Sequence, residues 1–550
     1  MKRYLALLAA LILATTMTGI VFAETGEQGD WQSDTSPASF SVYVNLSWFT
    51  NSWDTSIETR SDWLVTNETG VSIEIITPTG SESERMYTML ASGDLPDIIM
   101  ANVYDVGMQE MIDAGFCVPL NELADKYDKS FYDIVSPSLV SWNTYPDGNI
   151  YAYPNFASSL ENVNAMVKAN DKAALANYVG DRVVSVRKDI YEAIGSPDMT
   201  TPEGFIKALE MAKEQFPMVD GVPISLVGFQ PFGDTGSDSL LSYVQQMAGI
   251  PYYNDDGTLH DLMTDPEYIR WLKCFREAFE TGLISRDVFA DQRAQIDEKL
   301  KSGRYFVSFA GKADIAASNT YLFQDMGGKE TGIYYEPVDA LRNSQSGPPI
   351  VLSKVLLNGW MNSYITTSCK DPARAFRFLN YIMGERGQHA IYYGIEGVTW
   401  DYNAEGVETF KPFLTDGSIP AEDLTRNYNV YGNNWTWWNS DIINVFAAKV
   451  KADFTPFQLY IDWSIPYMVH YPELTDLSMP ADSEEFLIDN TIGLEWGTTL
   501  TKLITAASEA EFDKTLEEFV ARRAELGFEK LMVARNAVVE KNKAKLDPFR

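Results

Sequence analysis

Positive charge is the first thing that this sequence is short of. The 550 residues contain 43 Lys and Arg against 77 Asp and Glu, which gives a formal net charge of -34. Nucleic-acid binding requires a basic surface that neutralises phosphates, and docking to an anionic membrane requires basic clusters as well. The composition therefore excludes nucleic acid as a partner and disfavours membrane binding by charge.

Histidine and cysteine are also scarce. The three histidines, at positions 260, 389 and 470, lie far apart, and none belongs to a His-Glu-x-x-His metal pair. The chain also lacks a Gly-x-Ser-x-Gly nucleophile elbow and a complete phosphate-binding loop. No catalytic residue, metal ligand or cofactor is therefore expected. At most one disulfide is possible among Cys117, Cys274 and Cys369, and all three are predicted to be buried as small hydrophobic residues.

Long apolar runs are missing beyond the first residues. Lys2 and Arg3 precede the apolar run Leu5–Ala14, and Val21-Phe22-Ala23 fits a signal-peptidase site, so residues 1–23 are predicted to be a signal peptide. No later stretch reaches the 18 apolar residues of a membrane span, and no cysteine near the signal end offers a lipidation site. The mature protein is expected to be exported and soluble.

The rest of the chain has an α/β pattern. Residues 24–38 are polar and are predicted to be a flexible leader. Alternating residues from Phe40 to Trp48 predict a strand, 54–67 a helix, 71–75 a strand, 82–91 a helix and 97–100 a buried strand. Strands that alternate with helices at this spacing indicate a parallel sheet.

Other segments carry start and turn signals. Thr201-Pro202, Asp265-Pro266 and Asp371-Pro372 each place a capping side chain before a proline and predict helix starts. Tyr253-Asn254-Asp255-Asp256-Gly257 looks superficially like a calcium loop. With Gly257 at loop position 6, however, positions 1 and 12 would be Tyr252 and Met263, which lack the required oxygen ligands. A tight Asp-Gly turn is predicted there instead.

Aromatic residues are abundant, with 29 Tyr, 28 Phe and 13 Trp. Trp48 and Trp53 flank the end of the first strand, where open parallel sheets bind their ligands. The segment after the 97–100 strand should lie on the same rim. A further group of aromatic residues, Trp435, Trp437 and Trp438, lies in a loop rich in Tyr, Gly and Asn. Flat rings beside polar side chains suit sugars. The predicted stacking residues are Trp48, Trp53, Trp435, Trp437 and Trp438, with Trp360 as a weaker candidate; the predicted hydrogen-bonding residues are Asn102, Tyr104, Asp105 and Asn155.

Several motifs in order resemble one family, the family 1 extracellular solute-binding proteins of ABC importers. They are Ser92–Ile99, Gly115–Leu120, Asp147–Pro154, Val184–Asp189, Thr201–Glu203, Asp371–Pro372 and Tyr393–Val398. The matches cover most of the mature chain, and the length resembles that of the larger, oligosaccharide-binding members.

The resemblance implies an α/β, two-lobed periplasmic-binding-protein-like fold with discontinuous lobes joined by a hinge. It places 39–155 and 340–405 in the first lobe, and 156–339 and 406–550 in the second. The lobes would close over a carbohydrate and present it to ABC permease membrane subunits, and the receptor is expected to be a monomer. The family's rim contacts carry over to Asn102, Tyr104 and Asp105 by position, whereas Ala101 stands where some members have an aromatic residue.

Two other functions remain open from the sequence. A secreted glycoside hydrolase would use two acids, for example Glu396 and Glu495, although a chain with 77 acidic residues offers many such pairs. A receptor for peptides or other organic solutes on the same fold is the second alternative.

Overall fold

The computed structural model describes residues 28–103, 105, 107–169, 175, 178–180, 182–229, 239–345, 347–353, 357–415, 418–430, 434–449, 458–480 and 483–550. Side chains are not described at 239, 313, 320, 324, 325, 329, 421, 435 and 447–449. The predicted signal peptide, the start of the predicted leader and Tyr104 therefore lie outside the described residues.

Fourteen strands are present in the described part of the chain. They are β1 (Ala38–Val44), β2 (Val71–Ile76), β3 (Ile98–Ala101), β4 (Ser185–Arg187), β5 (Met218–Val219), β6 (Val222–Pro223), β7 (Ser225–Gly228), β8 (Tyr305–Ser308), β9 (Tyr335–Pro337), β10 (Val351–Leu352), β11 (Asn362–Ile365), β12 (Trp400–Tyr402), β13 (Glu408–Phe410) and β14 (Met468–Val469).

The described helices connect these strands and form most of the C-terminal part. They are α1 (Ser61–Thr69), α2 (Glu82–Ser92), α3 (Met108–Asp113), α4 (Leu120–Lys126), α5 (Phe131–Ile134), α6 (Pro137–Asn143), α7 (Leu160–Ala169), α8 (Lys188–Ala193), α9 (Pro202–Gln215), α10 (Ser239–Met247), α11 (Pro266–Glu280), α12 (Arg293–Lys301), α13 (Lys312–Asp325), α14 (Gly328–Thr331), α15 (Pro372–Met383), α16 (Glu385–Tyr393), α17 (Ala421–Asn427), α18 (Ser440–Lys449), α19 (Gln458–Ser464), α20 (Glu484–Thr505), α21 (Glu509–Leu526) and α22 (Phe528–Leu546). Short 3₁₀ turns include Trp435–Trp437 and Ile465–Tyr467.

The first sheet has the strand order β11-β3-β1-β2. β1 runs parallel to both β2 and β3, which confirms the predicted strand-helix-strand-helix-strand pattern, and β11 joins antiparallel to β3. Val42 and Val44 face the larger apolar core, whereas Tyr43 faces a smaller core on the other side of the sheet. The period-2 alternation of the first strand therefore supplies both faces of a sheet covered on two sides.

Two predicted boundaries around the first strand differ from the structure. β1 ends at Val44 and α1 begins only at Ser61. The Asp62 carboxylate accepts a hydrogen bond from the backbone N–H of Asp54, at 2.6 Å, and pairs with Arg60. Because these contacts bind the chain before residue 61 to the helix start, the segment 52–60 remains irregular although its composition suits a helix.

The second sheet has the order β7-β8-β4-β9, with β7 and β8 parallel and β4 antiparallel to both of its neighbours. α9 and α11 pack on it through Phe205, Leu209 and Phe275. The predicted helix starts are confirmed, since Thr201, Asp265 and Asp371 each accept a hydrogen bond from a backbone N–H of the first turn. Capping and proline placement were therefore sufficient to locate these helices.

The apolar cores divide the chain differently from the predicted lobes. The core on the first sheet includes Leu160, Val163 and Tyr178, and it also includes Trp437. The sequence had placed both segments in the second lobe. They belong with the first sheet because their apolar side chains pack against α6, α15 and α16 rather than against β4, β7 and β8.

Before α20, the described chain passes between the two cores at three places, between residues 178 and 184, 341 and 357, and 446 and 479. β10 and β14 belong to the second and third crossings and pair in parallel, Val351 with Met468. A β-carbon on Gly180, in the first crossing, would stand 2.2 Å from the carbonyl oxygen of Leu352. The three crossings are therefore packed together as one hinge, and only glycine fits the first of them at this contact.

The C-terminal helix contacts both cores. Leu531, near the start of α22, belongs to the second core, and Leu546, at its end, belongs to the first. The Lys545 ammonium donates a hydrogen bond to the carbonyl oxygen of Trp142. α22 thus crosses from one sheet's core to the other outside the three hinge segments.

The predicted tight Asp-Gly turn is confirmed. Gly257 has φ +83°, its N–H donates to the carbonyl oxygen of Asn254, and Tyr253 bridges Leu259 across the turn, so the Asp-Gly segment is a tight hairpin turn. The described residues also contain no cluster of three or more His, Cys, Asp or Glu side chains fit to hold a metal ion. In the described part, no helix is long and apolar enough to cross a membrane.

All three cysteines are buried, as predicted, and none of them forms a disulfide in this structure. Burial raises the pKa of the Cys369 thiol to about 12 and raises those of Cys117 and Cys274 as well. Because the thiolate is the reactive form, we expect the native protein to resist a colorimetric disulfide reagent at pH 8, whereas the protein unfolded in guanidinium chloride should titrate with three thiols. A rapidly reacting thiol in the native protein would contradict this placement.

Candidate functional site

The carboxyl ends of β1 and β3 meet at one polar cluster. Asp105 accepts hydrogen bonds through Oδ2 from Asn45 Nδ2, at 2.7 Å, and from the backbone N–H of Asn102, at 3.1 Å. The Tyr43 hydroxyl donates to Asn45 Oδ1 at 2.9 Å. Burial raises the pKa of Asp105, and the two hydrogen bonds act in the opposite direction. Asp105 therefore joins the two strand ends, and the structure brings Asn102 and Asp105 together as the sequence predicted.

Trp48 and Trp53 follow the end of β1 but have different surroundings. Trp48 is 60% exposed. Trp53 is half-buried, donates its indole N–H to Thr66 Oγ1 at 3.0 Å and packs edge-on against Phe378, with ring centroids 6.3 Å apart. Trp48 consequently presents a wide ring surface on the rim, and Trp53 offers only the part not held against α1 and α15.

Residues 425–430 and 434–438 are fixed to the first lobe by two groups of contacts. The first is an asparagine network in which Asn434 Nδ2 donates to Ser61 Oγ at 2.9 Å and to the carbonyl oxygen of Asn429. Asn51 Nδ2 lies 3.4 Å from Asn434 Oδ1, so the loop after β1 also belongs to this network. The side chain of Asn434 therefore connects the aromatic-rich segment both to Ser61 and to the loop after β1, which contains Trp48 and Asn51.

The second group centres on Arg60. Its guanidinium pairs with Asp62 at 2.7 Å and donates to the carbonyl oxygens of Thr425, at 2.9 Å, and Arg426, at 2.8 Å. The Arg60 and Asp62 side chains are only 4% and 0% exposed. A buried pair with most of its donors satisfied is a rigid anchor, so it holds the start of the aromatic-rich segment in place.

Trp437 requires a correction, because it was predicted to stack on a ligand. It is 2% exposed and lies in the first core, with its ring centroid 5.9 Å from that of Phe378. Gln388 Nε2 donates to its carbonyl oxygen at 2.6 Å. A side chain enclosed in this way has no face for a sugar, so Trp437 is a core residue in this structure. The side chain of Trp435 lies outside the described residues.

Trp438 and Trp360 meet at a residue that the sequence reasoning missed, Phe156. The centroid of the Phe156 ring is 5.6 Å from that of Trp360 and 5.6 Å from that of Trp438. The backbone N–H of Phe156 donates to the carbonyl oxygen of Trp438 at 2.8 Å, and that of Trp360 donates to the carbonyl oxygen of Asn155 at 2.9 Å. These three rings, named here the aromatic trio, come from three distant parts of the chain.

Phe156 has a left-handed backbone conformation, with φ +56°. Such a conformation is costly for a bulky residue and persists only where the surroundings determine it. The hydrogen bond from the Phe156 N–H to Trp438 and the two ring contacts hold Phe156 in this conformation. The only sequence signal was its place directly after the predicted Asn155.

Two buried donors beside the aromatic trio have no hydrogen-bond partner among the described residues. They are Nδ2 of Asn155, a residue with 0% exposure, and the indole Nε1 of Trp438. An unpaired buried donor costs the free protein about 1–3 kcal/mol, and that cost is recovered when an acceptor arrives. Aromatic faces combined with unpaired donors can bind a ligand that is apolar on one side and rich in hydroxyl oxygens on the other.

The acids of the hydrolase alternative do not form a pair. Glu396 is exposed in the turn between α16 and β12, beside the first core. Glu495 lies on α20 in the second lobe and interacts with Arg522 at 3.3 Å. Paired catalytic acids must flank one glycosidic bond, whereas the neighbours of these two acids in the chain pack in different cores.

Two sheets with separate cores, joined by three packed crossings and with polar and aromatic side chains gathered at one strand-end rim, define a two-lobed solute-binding protein. The chain belongs to the bacterial extracellular solute-binding protein family, whose sequence profile matches residues 65–400. The resemblance found in the sequence is thereby confirmed. A search of curated proteins found no match.

Solved structures share the fold at low sequence identity. The Streptococcus pneumoniae ABC-transporter substrate-binding protein FusA, an EF-hand mutant bound to fructo-nystose, superposes with a TM-score of 0.65 at 17% identity, covering 92% of this chain and 100% of its own. An ABC-transporter-associated solute-binding protein from Bifidobacterium longum infantis, described as binding HMO, gives 0.61 at 15% identity, with 92% and 99% covered. The N-glycan transport protein NgtS of Streptococcus pneumoniae gives 0.59 at 17% identity, again with 92% and 99% covered. The predicted periplasmic-binding-protein-like fold is confirmed.

Proposed function

We propose that the protein is an exported receptor that captures an oligosaccharide between its two lobes and delivers it to the membrane subunits of an ABC permease. Family membership makes it a solute-binding protein. The carbohydrate assignment is supported by structural relatives whose solved complexes hold fructo-nystose, kestose or N-glycan fragments. We expect the receptor to act as a monomer and without a cofactor.

The observation that carries the proposal is the aromatic trio with its two unpaired donors. A pyranose or furanose ring has an apolar C–H face, which packs on an aromatic ring, and hydroxyl oxygens at its edge, which accept hydrogen bonds. Trp360, Phe156 and Trp438 supply rings, and Asn155 Nδ2 and Trp438 Nε1 supply donors. A peptide would not require such a combination of flat surfaces and unpaired donors.

The proposed contacts combine the residues predicted from the sequence, except Trp437, with Phe156. They are Trp48, Trp53, Asn102, Tyr104, Asp105, Asn155, Phe156, Trp360, Trp435 and Trp438. The second lobe would complete the site by closing about the hinge formed by residues near Gly180, β10 and β14. Since ligand contacts from both lobes stabilise the closed state, affinity depends on how much better the closed form binds than the open one.

Trp438→Ala provides the direct test. Removing this ring and its indole donor is expected to weaken oligosaccharide binding by about 2 kcal/mol, roughly 30-fold in Kd. Isothermal titration calorimetry with kestose, lacto-oligosaccharides and mannose-containing N-glycan fragments measures the effect on whichever sugar binds. Tyr402→Ala is the matched control, because Tyr402 is an aromatic residue of the first lobe that is 57% exposed and lies in the β12–β13 hairpin outside the trio. Equal affinity of the two variants would contradict the proposed site.

Two further experiments on the purified protein distinguish a carbohydrate receptor from a glycoside hydrolase and from a peptide receptor. Mass spectrometry of each sugar after prolonged incubation should show the intact oligosaccharide, whereas shortened products would indicate a hydrolase. A thermal-shift screen should show saturable stabilisation by saccharides and none by a peptide library, since a ligand at 100 times its Kd stabilises the native state by about 2.7 kcal/mol. Stabilisation by peptides alone would overturn the carbohydrate assignment.

A further inference from the structure

A cavity of about 460 Å³ lies on the second lobe where that lobe meets the hinge. Its walls are formed by residues 200–201 before α9, by Arg270 of α11, by residues 342–344 and 347–348, and by Tyr467. None of these residues belongs to the aromatic trio or to the first core. Tyr467 packs on Trp463, while Ile465 in the same turn packs against the first core, so this wall is part of the third crossing.

Arg342 is the central cation of this cavity. Its side chain is 13% exposed, its guanidinium lies 5.5 Å from the ring centroid of Tyr467, and its Nη2 donates to Asp339 at 3.0 Å. The other terminal nitrogen, Nη1, is buried and has no hydrogen-bond partner among the described residues. An arginine held in place with one donor uncommitted is suited to receive an anion.

Arg270 reinforces the positive wall. Its Nη2 donates to the carbonyl oxygen of Arg342 at 2.6 Å, and its Nε donates to Glu267 at 2.9 Å. Each arginine thus has one carboxylate partner, Glu267 or Asp339, and neither carboxylate lines the cavity. Glu267 also accepts the backbone N–H of Ser344 at 2.9 Å. Among the described residues, the cavity lining therefore holds two guanidinium groups and no carboxylate, in a chain whose net charge is -34.

The start of α9 contributes a further positive potential. Thr200 and Thr201 line the cavity, and Thr201 is the N-cap of this 14-residue helix. The N-terminus of a helix carries a partial positive charge from its aligned peptide dipoles. Asn343 and Ser344 add neutral polar side chains to the lining. The partial positive charge of the α9 N-terminus and the charges of Arg270 and Arg342 therefore all act on this cavity.

We propose that this cavity is a second ligand site that takes a small anionic molecule bearing a carboxylate or phosphate group. The anion would accept hydrogen bonds from the Arg342 and Arg270 guanidinium groups, with its body against Tyr467 and the threonines of the α9 start. A volume of about 460 Å³ exceeds that of a bare ion and accommodates a small organic acid or phosphate ester. The site is independent of the proposed oligosaccharide site.

Calorimetric titration of the full chain with inorganic phosphate and, separately, with citrate tests the proposal at fixed ionic strength set by sodium chloride. Saturable binding of either probe supports the site, and comparison of the two shows whether phosphate or carboxylate is preferred. Arg342→Met and Arg270→Met are each expected to weaken binding at least tenfold. Arg286→Met is the matched control, because Arg286 lies on the second lobe over the ring of Phe279 and outside the cavity.

Two results would overturn the proposal. One is the absence of saturable binding by both probes. The other is unchanged affinity in a folded Arg342→Met or Arg270→Met protein. Since Arg342 also contacts Asp339 and Tyr467, circular dichroism and melting curves establish that each variant is folded, and Arg342→Lys keeps the charge while removing the planar donor pair. The lysine variant should bind more weakly than the wild type and more tightly than the methionine variant.

Discussion

Arg60→Met is expected to lower the free energy of unfolding by about 3–5 kcal/mol, the usual loss when one partner of a buried ion pair is removed. The Arg60 guanidinium and the Asp62 carboxylate are almost completely buried, so the variant would leave a charge without its counterion. The carbonyl oxygens of Thr425, Arg426 and Ser52 would lose their donors as well. The segment leading to Trp438 should become mobile, and sugar affinity should fall together with stability.

Urea unfolding followed by tryptophan fluorescence measures the loss. Arg426→Met is the matched control: Arg426 is 58% exposed, and its pairs with Glu422 and Asp423 lie on the surface, so its removal should cost less than about 1 kcal/mol. Arg60→Met combined with Asp62→Asn removes both charges and is expected to recover part of the loss. If Arg60→Met costs no more than Arg426→Met, the anchor described for the aromatic-rich segment is wrong.

Local chemistry in the sequence was sufficient to predict much of the fold. Some signals depend only on interactions within a few residues, and the structure has the elements that they predict. These signals are the alternation of Phe40, Val42 and Val44, the glycine after α2, and the capping residue followed by proline at the starts of α9, α11 and α15. The Asp-Gly turn is of the same kind. Such features are set by backbone dihedrals and neighbouring hydrogen bonds, which do not depend on how distant segments pack.

The assignment of segments to lobes was less accurate, because it depends on contacts between distant residues. Leu160 and Val163 form the apolar face of a helix that could have packed on either sheet. Residues 425–430 and 434–438 belong with the first lobe through Arg60, Ser61 and Asn51, more than 360 positions earlier in the chain. Nothing within the later segment indicates these partners.

In the candidate site too, some residues could be predicted from local sequence, whereas others depend on contacts between distant segments. Asn102 and Asp105 could be predicted because they follow a strand whose neighbour also ends at that edge. Trp437 and Trp438 could not be distinguished, because consecutive residues of a turn point in different directions: Trp437 enters the core and Trp438 turns toward Phe156. Phe156 itself is defined by two rings brought from positions 360 and 438, so it has no local signature.

Gly359→Ala is expected to remove about 2–5 kcal/mol of stability and to weaken oligosaccharide binding more than tenfold. Gly359 has φ +69°, and a β-carbon there would lie 2.3 Å from the carbonyl oxygen of Asn155 and 2.6 Å from Asn362 Oδ1. The left-handed conformation alone costs alanine about 1–2 kcal/mol, and the overlap forces a backbone shift that adds about 1–3 kcal/mol. Because the displaced carbonyl oxygen accepts the N–H of Trp360, the shift should separate two members of the aromatic trio.

Gly397→Ala separates the two causes. Gly397 has φ +78°, similar to Gly359, but an added β-carbon would meet no atom within 4 Å. This control should therefore lose only the conformational term, about 1–2 kcal/mol, and keep its sugar affinity. The difference in unfolding free energy between the two variants measures the cost of the overlap between a β-carbon at residue 359 and the Asn155 backbone. Since Asn155 and Trp360 are proposed to contact the ligand, equal sugar affinity in the two variants would show that this close approach does not support the binding site.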